Sequence, residues 1–124
     1  MQIKRASEVV YDERGETFTG SVWVGPGLEI RGLGIHMVNF EPGARTHWHS
    51  HEYGQLLYVV SGRGLTQSQG AEVVEMASGD FVSVDAGEVH WHGAAPDAPL
   101  VHVAVNAGGG PDWGEAVTDA EYSG

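Results

Sequence analysis

The chain of 124 residues contains no cysteine. Disulfides, thiolate metal sites and a cysteine nucleophile are excluded together, so any metal must be held by nitrogen and oxygen. Basic residues are scarce too: 6 lysines and arginines stand against 17 acidic residues, a formal net charge of -11. A groove that follows a phosphate backbone cannot be built from that set, which argues against nucleic acid as a partner. Long apolar runs are also missing. None approaches the ~20 residues of a membrane helix, and Met1 to Val10 has no apolar signal core. The expectation is a soluble cytoplasmic protein with no membrane partner.

Glycine, in contrast, is plentiful, with 19 residues. Each glycine inside a helix costs about 1 kcal/mol relative to alanine, so a helical bundle is disfavoured. Short runs rich in Val, Ile, Leu and aromatics recur at Gly20 to Val24, Gly34 to Phe40, Gln55 to Val60, Glu72 to Glu75, Phe81 to Val84 and Val101 to Val105. Turn-forming pieces separate them, among them Gly25-Pro26-Gly27, Ser61-Gly62-Arg63-Gly64 and Ser78-Gly79-Asp80, where Asp80 reads as a turn residue. This spacing predicts an all-β sandwich or barrel in one domain over 1–124. The core barrel is expected over about 20–106, with a C-terminal tail at 107–124. In that tail, Thr118 and Glu121 have capping-box spacing for one helical turn.

Seven histidines, His36, His47, His49, His51, His90, His92 and His102, avoid the first 35 and the last 22 residues. On an extended strand alternate side chains share a face, so His47, His49 and His51 can point one way, and His90 and His92 repeat the pattern around Trp91. Facing pairs across a barrel bring several imidazoles towards one point, and imidazole nitrogen suits divalent first-row metals. A single histidine such as His47 is more economically read as a surface or satisfied core residue. Parity extends the reading. If Gln55 points inward, so do Leu57 and Val59, as an apolar cavity wall, while Leu56, Tyr58 and Val60 face out. His102, Ala104 and Asn106 alternate with three valines and form the cavity-facing set. Trp48 and Trp91 read as packing residues, and Arg45 and Glu52 as rim or outer-face charges.

The segment GARTHWHSHEYGQLLYVVSG, Gly43 to Gly62, resembles the first cupin motif, G(X)5HXH(X)3-4E(X)6G, with Gln55 in the glutamate slot. The segment GDFVSVDAGEVHWHGA, Gly79 to Ala94, resembles the second, G(X)5PXG(X)2H(X)3N, with Asp85 for the proline and Ala94 for the asparagine. The resemblance implies a single-domain cupin, a conserved β-barrel or short jelly roll, with metal ligands His49, His51, Gln55 and His90. Gln55 departs from the pattern in a way that matters, since an amide cancels none of the charge of a divalent ion.

FEPGART, WHSH, GEVHWHGAAP and VTDAEY together resemble the bacterial cupin-type hydroxynitrile lyases. That narrower resemblance implies manganese, with iron, nickel or zinc as alternative occupants, and carbon–carbon cleavage of a small cyanohydrin. Within it His102 is the implied base, with His92 or His36 assisting. His36 and His47 depart from the family, where small residues stand. Two other readings fit the same cavity: a metal-dependent dioxygenase, and a cupin that binds a small molecule without converting it. Apolar residues Val22, Trp23 and Val24, with the outer face of Val101 to Val105, are expected to pair copies into a homodimer or homotetramer.

Overall fold

Short alternating runs cut by glycine fold as strands, and the computed structural model, which describes all 124 residues, contains twelve of them. In chain order they are β1 (Asp12–Arg14), β2 (Phe18–Thr19), β3 (Val22–Ile30), β4 (Leu33–Phe40), β5 (Arg45–Thr46), β6 (His49–Ser50), β7 (Gln55–Ser68), β8 (Val74–Ala77), β9 (Phe81–Val84), β10 (His90–Ala94), β11 (Leu100–Ala107) and β12 (Asp112–Trp113). One short helix, α1 (Asp119–Ser123), closes the chain. The order β1-β3-β4-β11-β7-β10-β5-β2 curls into a nearly closed barrel, with β8 and β9 on β7, β6 on β10 and β12 on β6.

Two segments expected as turns are continuous strand. β7 runs through Ser61-Gly62-Arg63-Gly64, where Gly62 takes a positive φ and the carbonyl of Pro99 occupies the space that a Cβ would need. β7 pairs with β11 and β9 in its first half and with β10 and β8 in its second. β3 likewise passes through Gly25-Pro26-Gly27, with a bulge between Pro26 and Glu29 against β4. Asp80 behaves as read: its carboxylate accepts from the Ala77 N–H at 2.8 Å. The capping box is present, with the Thr118 hydroxyl accepting from Glu121 N and the Glu121 carboxylate accepting from Thr118 N.

Parity decides the core. Val22, Phe40, Leu57, Val59 and Leu100 are 2% exposed or less and fill one end of the barrel. Leu57 and Val59 point inward as expected but pack in this core and do not line the cavity; the apolar wall there comes from Phe18, Val24, Val38 and Trp113. Leu56, Tyr58 and Val60 face out. Val22 and Val24 are also buried, so of the three residues expected on the outer surface only Trp23 is there. The reason is again alternation, since both valines flank Trp23 on the opposite face of β3.

Arg45 is the clearest departure. It is only 5% exposed, where the sequence predicts a rim or outer-face charge. Its guanidinium donates to the carbonyl of Val117 at 2.9 Å and to the carboxylate of Asp119 at 2.8 Å, and it lies 4.3 Å over the ring of Tyr122. Tyr122 in turn donates its hydroxyl to the carbonyl of Ala94 and packs with Trp91 and Val117 as a second, smaller core. Arg45 thus latches the tail onto the barrel. Glu52 is exposed, as expected, and Trp48 and Trp91 both pack in this second cluster.

Candidate metal centre and proton pair

Three ring nitrogens, one each from His49, His51 and His90, lie within 4.8 Å of one another. Pairing of β6 with β10 sets His49 directly opposite His90, with ring centroids 4.3 Å apart, and His51 follows two residues on. Local contacts turn the rings. His49 donates from Nδ1 to the carbonyl of His47 at 2.9 Å, and His90 from Nδ1 to the carbonyl of Glu88 at 3.0 Å. A carbonyl can only accept, so both Nδ1 atoms carry the hydrogen and both Nε2 atoms are left with a lone pair. Glu88 is itself held, its carboxylate accepting from the Asp85 N–H at 2.9 Å and from the Ser68 hydroxyl.

Gln55 completes the set. Its Oε1 lies 3.1 Å from His90 Nε2. With the His90 hydrogen committed to Glu88, that contact sets two lone pairs against each other, and His51 Nε2 is buried with no partner. A cation satisfies all of these atoms at once, so the residues fit a divalent metal held by three imidazoles and an amide. Gly54 makes the turn into Gln55 possible. It has a positive φ of 83°, and a Cβ there would meet the carbonyl of Val84 at 2.5 Å.

The histidines are uncharged at neutral pH. Burial pushes His49 down to about 3 and His51 down to about 4, with the neighbouring His90 adding to both effects, and burial lowers His90 as well. Beside them His92 and His102 form a second pair, His102 Nε2 to His92 Nδ1 at 3.0 Å. Burial holds His92 well below its ordinary value and His102 at about 4. The outer nitrogens of the pair, His92 Nε2 and His102 Nδ1, are buried without partners. His102 sits beside a bulge in β7, where the register steps from Val101–Ser61 to His102–Val59 and leaves Val60 unpaired.

His49, His51, Gln55, His92 and His102 border a cavity of about 440 Å³. Ala104 and Asn106 line it together with His102, as parity requires, and so does His36, which the sequence leaves open between cavity and surface. His47 does not: β5 ends at Thr46 and β6 begins at His49, and the break spoils the alternation that would have aligned it with its neighbours. Trp113 is a site residue that the sequence did not disclose. It pairs with His49 across β12 and β6 and packs on the His49 ring at 4.7 Å between centroids. Its only sequence signal is a tryptophan after the break at Gly108 to Pro111, and nothing in that spacing points to His49.

The chain belongs to the cupin family: the cupin domain matches residues 36–106, the span that supplies every histidine of the cavity. Within that family it is 41% identical to an (R)-mandelonitrile lyase from Granulicella tundricola, over 98% of each chain. Among solved structures it resembles a cupin-like protein from Thermotoga maritima, with 42% identity, a TM-score of 0.83 and 86% of this chain and 85% of that one covered. The polyketide cyclase RemF of Streptomyces resistomycificus shares the fold at 16% identity, TM-score 0.79, covering 99% and 91% of the two chains. No helix here is long and apolar enough to cross a membrane.

Proposed function

We propose that the protein is a metal-dependent lyase that cleaves or forms a small cyanohydrin. The observation that carries the reading is the uncharged donor set: His49, His51, His90 and Gln55 converge with no carboxylate among them. A divalent cation held there, manganese in this reading, supplies Lewis acidity towards a substrate oxygen, undiminished by a negative ligand. The similarity to a mandelonitrile lyase over nearly the full chain supports the same chemistry.

The chain's own residues then handle the proton. His92 and His102 share one hydrogen across 3.0 Å, and being neutral, the pair has room for one more. In cleavage, the cyanohydrin hydroxyl gives its proton to this pair, with His102 as base and His92 its bonded partner. The carbon–carbon bond breaks with its electrons leaving on cyanide, the carbonyl forms, and the pair returns the proton to cyanide. His36 makes no hydrogen bond to either ring, as its pairing with Ala104 on β11 holds it a row away from His102. Phe18, Val24, Val38 and Trp113 shield the organic group from water.

The test is metal analysis of the purified protein with mandelonitrile cleavage before and after chelation. Loss of cleavage on chelation and its return with manganese are expected, without oxygen uptake. Cleavage that survives complete metal removal, or turnover that consumes oxygen, overturns the reading.

A further inference from the structure

The register of the barrel sorts its inward residues into rows. Gly34, Asn106 and Gln55 lie side by side on β4, β11 and β7; the next row is His36, Ala104 and Leu57. Asn106 is therefore the neighbour of the amide in the metal cluster, and His36 stands diagonal to it across the small Ala104. Neither is used by the proton pair. Yet His36 Nδ1 and Asn106 Oδ1 are both buried with no partner, and both residues line the cavity. Buried polar atoms normally find partners, and two orphans on adjacent strands of one cavity mark a place for a hydrogen-bonding group.

We propose that His36 and Asn106 form a polar subsite for a neutral hydroxyl, so that the carbonyl compound handled by this protein carries a hydroxyl group besides its carbonyl. A hydroxyl can donate to Asn106 Oδ1 while accepting from the ring N–H of His36, which an apolar ring or a lone ketone cannot do. Its neutrality follows from the cavity rim. Arg14 and Glu29, the charged side chains that border the cavity, are of opposite sign, so a hydroxyl at His36 and Asn106 meets no excess of either charge on the rim. Strands lie ~4.8 Å apart, so β4 and β11 place the subsite roughly 5–10 Å from Gln55 on β7. The small Ala104 leaves the space between open. The inference rests on the lyase reading for the reacting end of the substrate.

The test compares benzaldehyde with its meta- and para-hydroxy forms on the metal-loaded full chain, by thermal shift and by competition with mandelonitrile cleavage. The better hydroxylated form should bind about tenfold more tightly than benzaldehyde, as expected when two otherwise unpaired buried groups gain a partner. That ratio should fall to about one in Asn106→Leu and His36→Phe, and persist in Asn106→Gln. Because the ratio is read within each protein, a general loss of stability or turnover cancels. A ratio of one in the wild type overturns the subsite, as does a preference that survives both substitutions. Absence of mandelonitrile cleavage with the ratio intact overturns the lyase reading and supports the subsite.

Discussion

Acid should unfold the metal-stripped protein along a slope that one residue measurably sets. His102 titrates at about 4 in the folded chain because of burial, against an unfolded value of about 6.5. Its folded pKa is depressed, so its contribution is intact above about pH 6.5 and is lost as pH falls towards 4, where the unfolded chain binds a proton that the folded chain refuses. Between pH 7 and pH 5 the loss comes to about 2 kcal/mol for this residue. With a urea m-value of about 1.5–2 kcal/mol/M, that is a shift of about 1 M in the midpoint. The assay is urea unfolding of chelator-treated wild type and His102→Gln at several pH values from 5 to 7, above the range where carboxylates titrate. The variant is expected to be less stable at pH 7 but to lose about 2 kcal/mol less on acidification. Parallel midpoint curves would refute the reasoning, since they would mean that His102 takes up its proton as readily folded as unfolded.

The remaining predictions concern the ligand set, the tail and the outer face. Gln55→Glu should retain metal, yet lower cyanohydrin cleavage by roughly 100-fold, as kcat/KM will show, because a carboxylate cancels part of the charge that polarises the substrate. Trp113→Ala should weaken metal affinity roughly tenfold in a chelator competition by removing the ring packed on His49. Arg45→Met, which cuts the latch to Val117 and Asp119, should cost about 2 kcal/mol and lower Tm by about 8 °C in a calorimeter. Val22 and Val24 of the expected pairing face are buried, but Ile35, Leu56, Tyr58 and Phe81 are exposed beside the outer face of Val101 to Val105, and we propose that copies pair through this surface instead. Leu56→Lys with Phe81→Lys should then give monomers in sedimentation where the wild type gives dimers or tetramers.

Periodicity made much of the site legible because the cavity is a strand property. Once Gln55, His90 and His102 are placed on strands, alternation dictates which neighbours face in, while the resemblance to the cupin motifs is what singles out His49, His51, Gln55 and His90 as ligands. What parity could not reach lies where strands are too short to alternate. β5 and β6 have two residues each, so His47 escapes the pattern and Arg45 turns inward to meet a tail far away in sequence. Trp113 belongs to the same class: its place on His49 depends on the pairing of β12 with β6, a long-range contact with no local signature. Leu57 and Val59 show the other limit, because alternation says inward without saying whether inward means cavity or core.

The contrast between the chain's charge and its cavity has a physical consequence. A formal charge of -11 gives the surface a negative potential that draws cations, yet no acidic residue joins the four proposed ligands. At physiological ionic strength that potential is screened over about 8 Å, so the surface carboxylates raise the local supply of cations but do little to neutralise an ion once it is buried. Capture and activation are thereby separated. In the proposed reading the acidic exterior favours arrival of the ion, while the imidazoles and amide would bind it through lone pairs and leave its charge to act on a substrate. Moving a carboxylate inward, as in Gln55→Glu, merges the two roles, which is why it should strengthen binding of the ion and weaken the chemistry together.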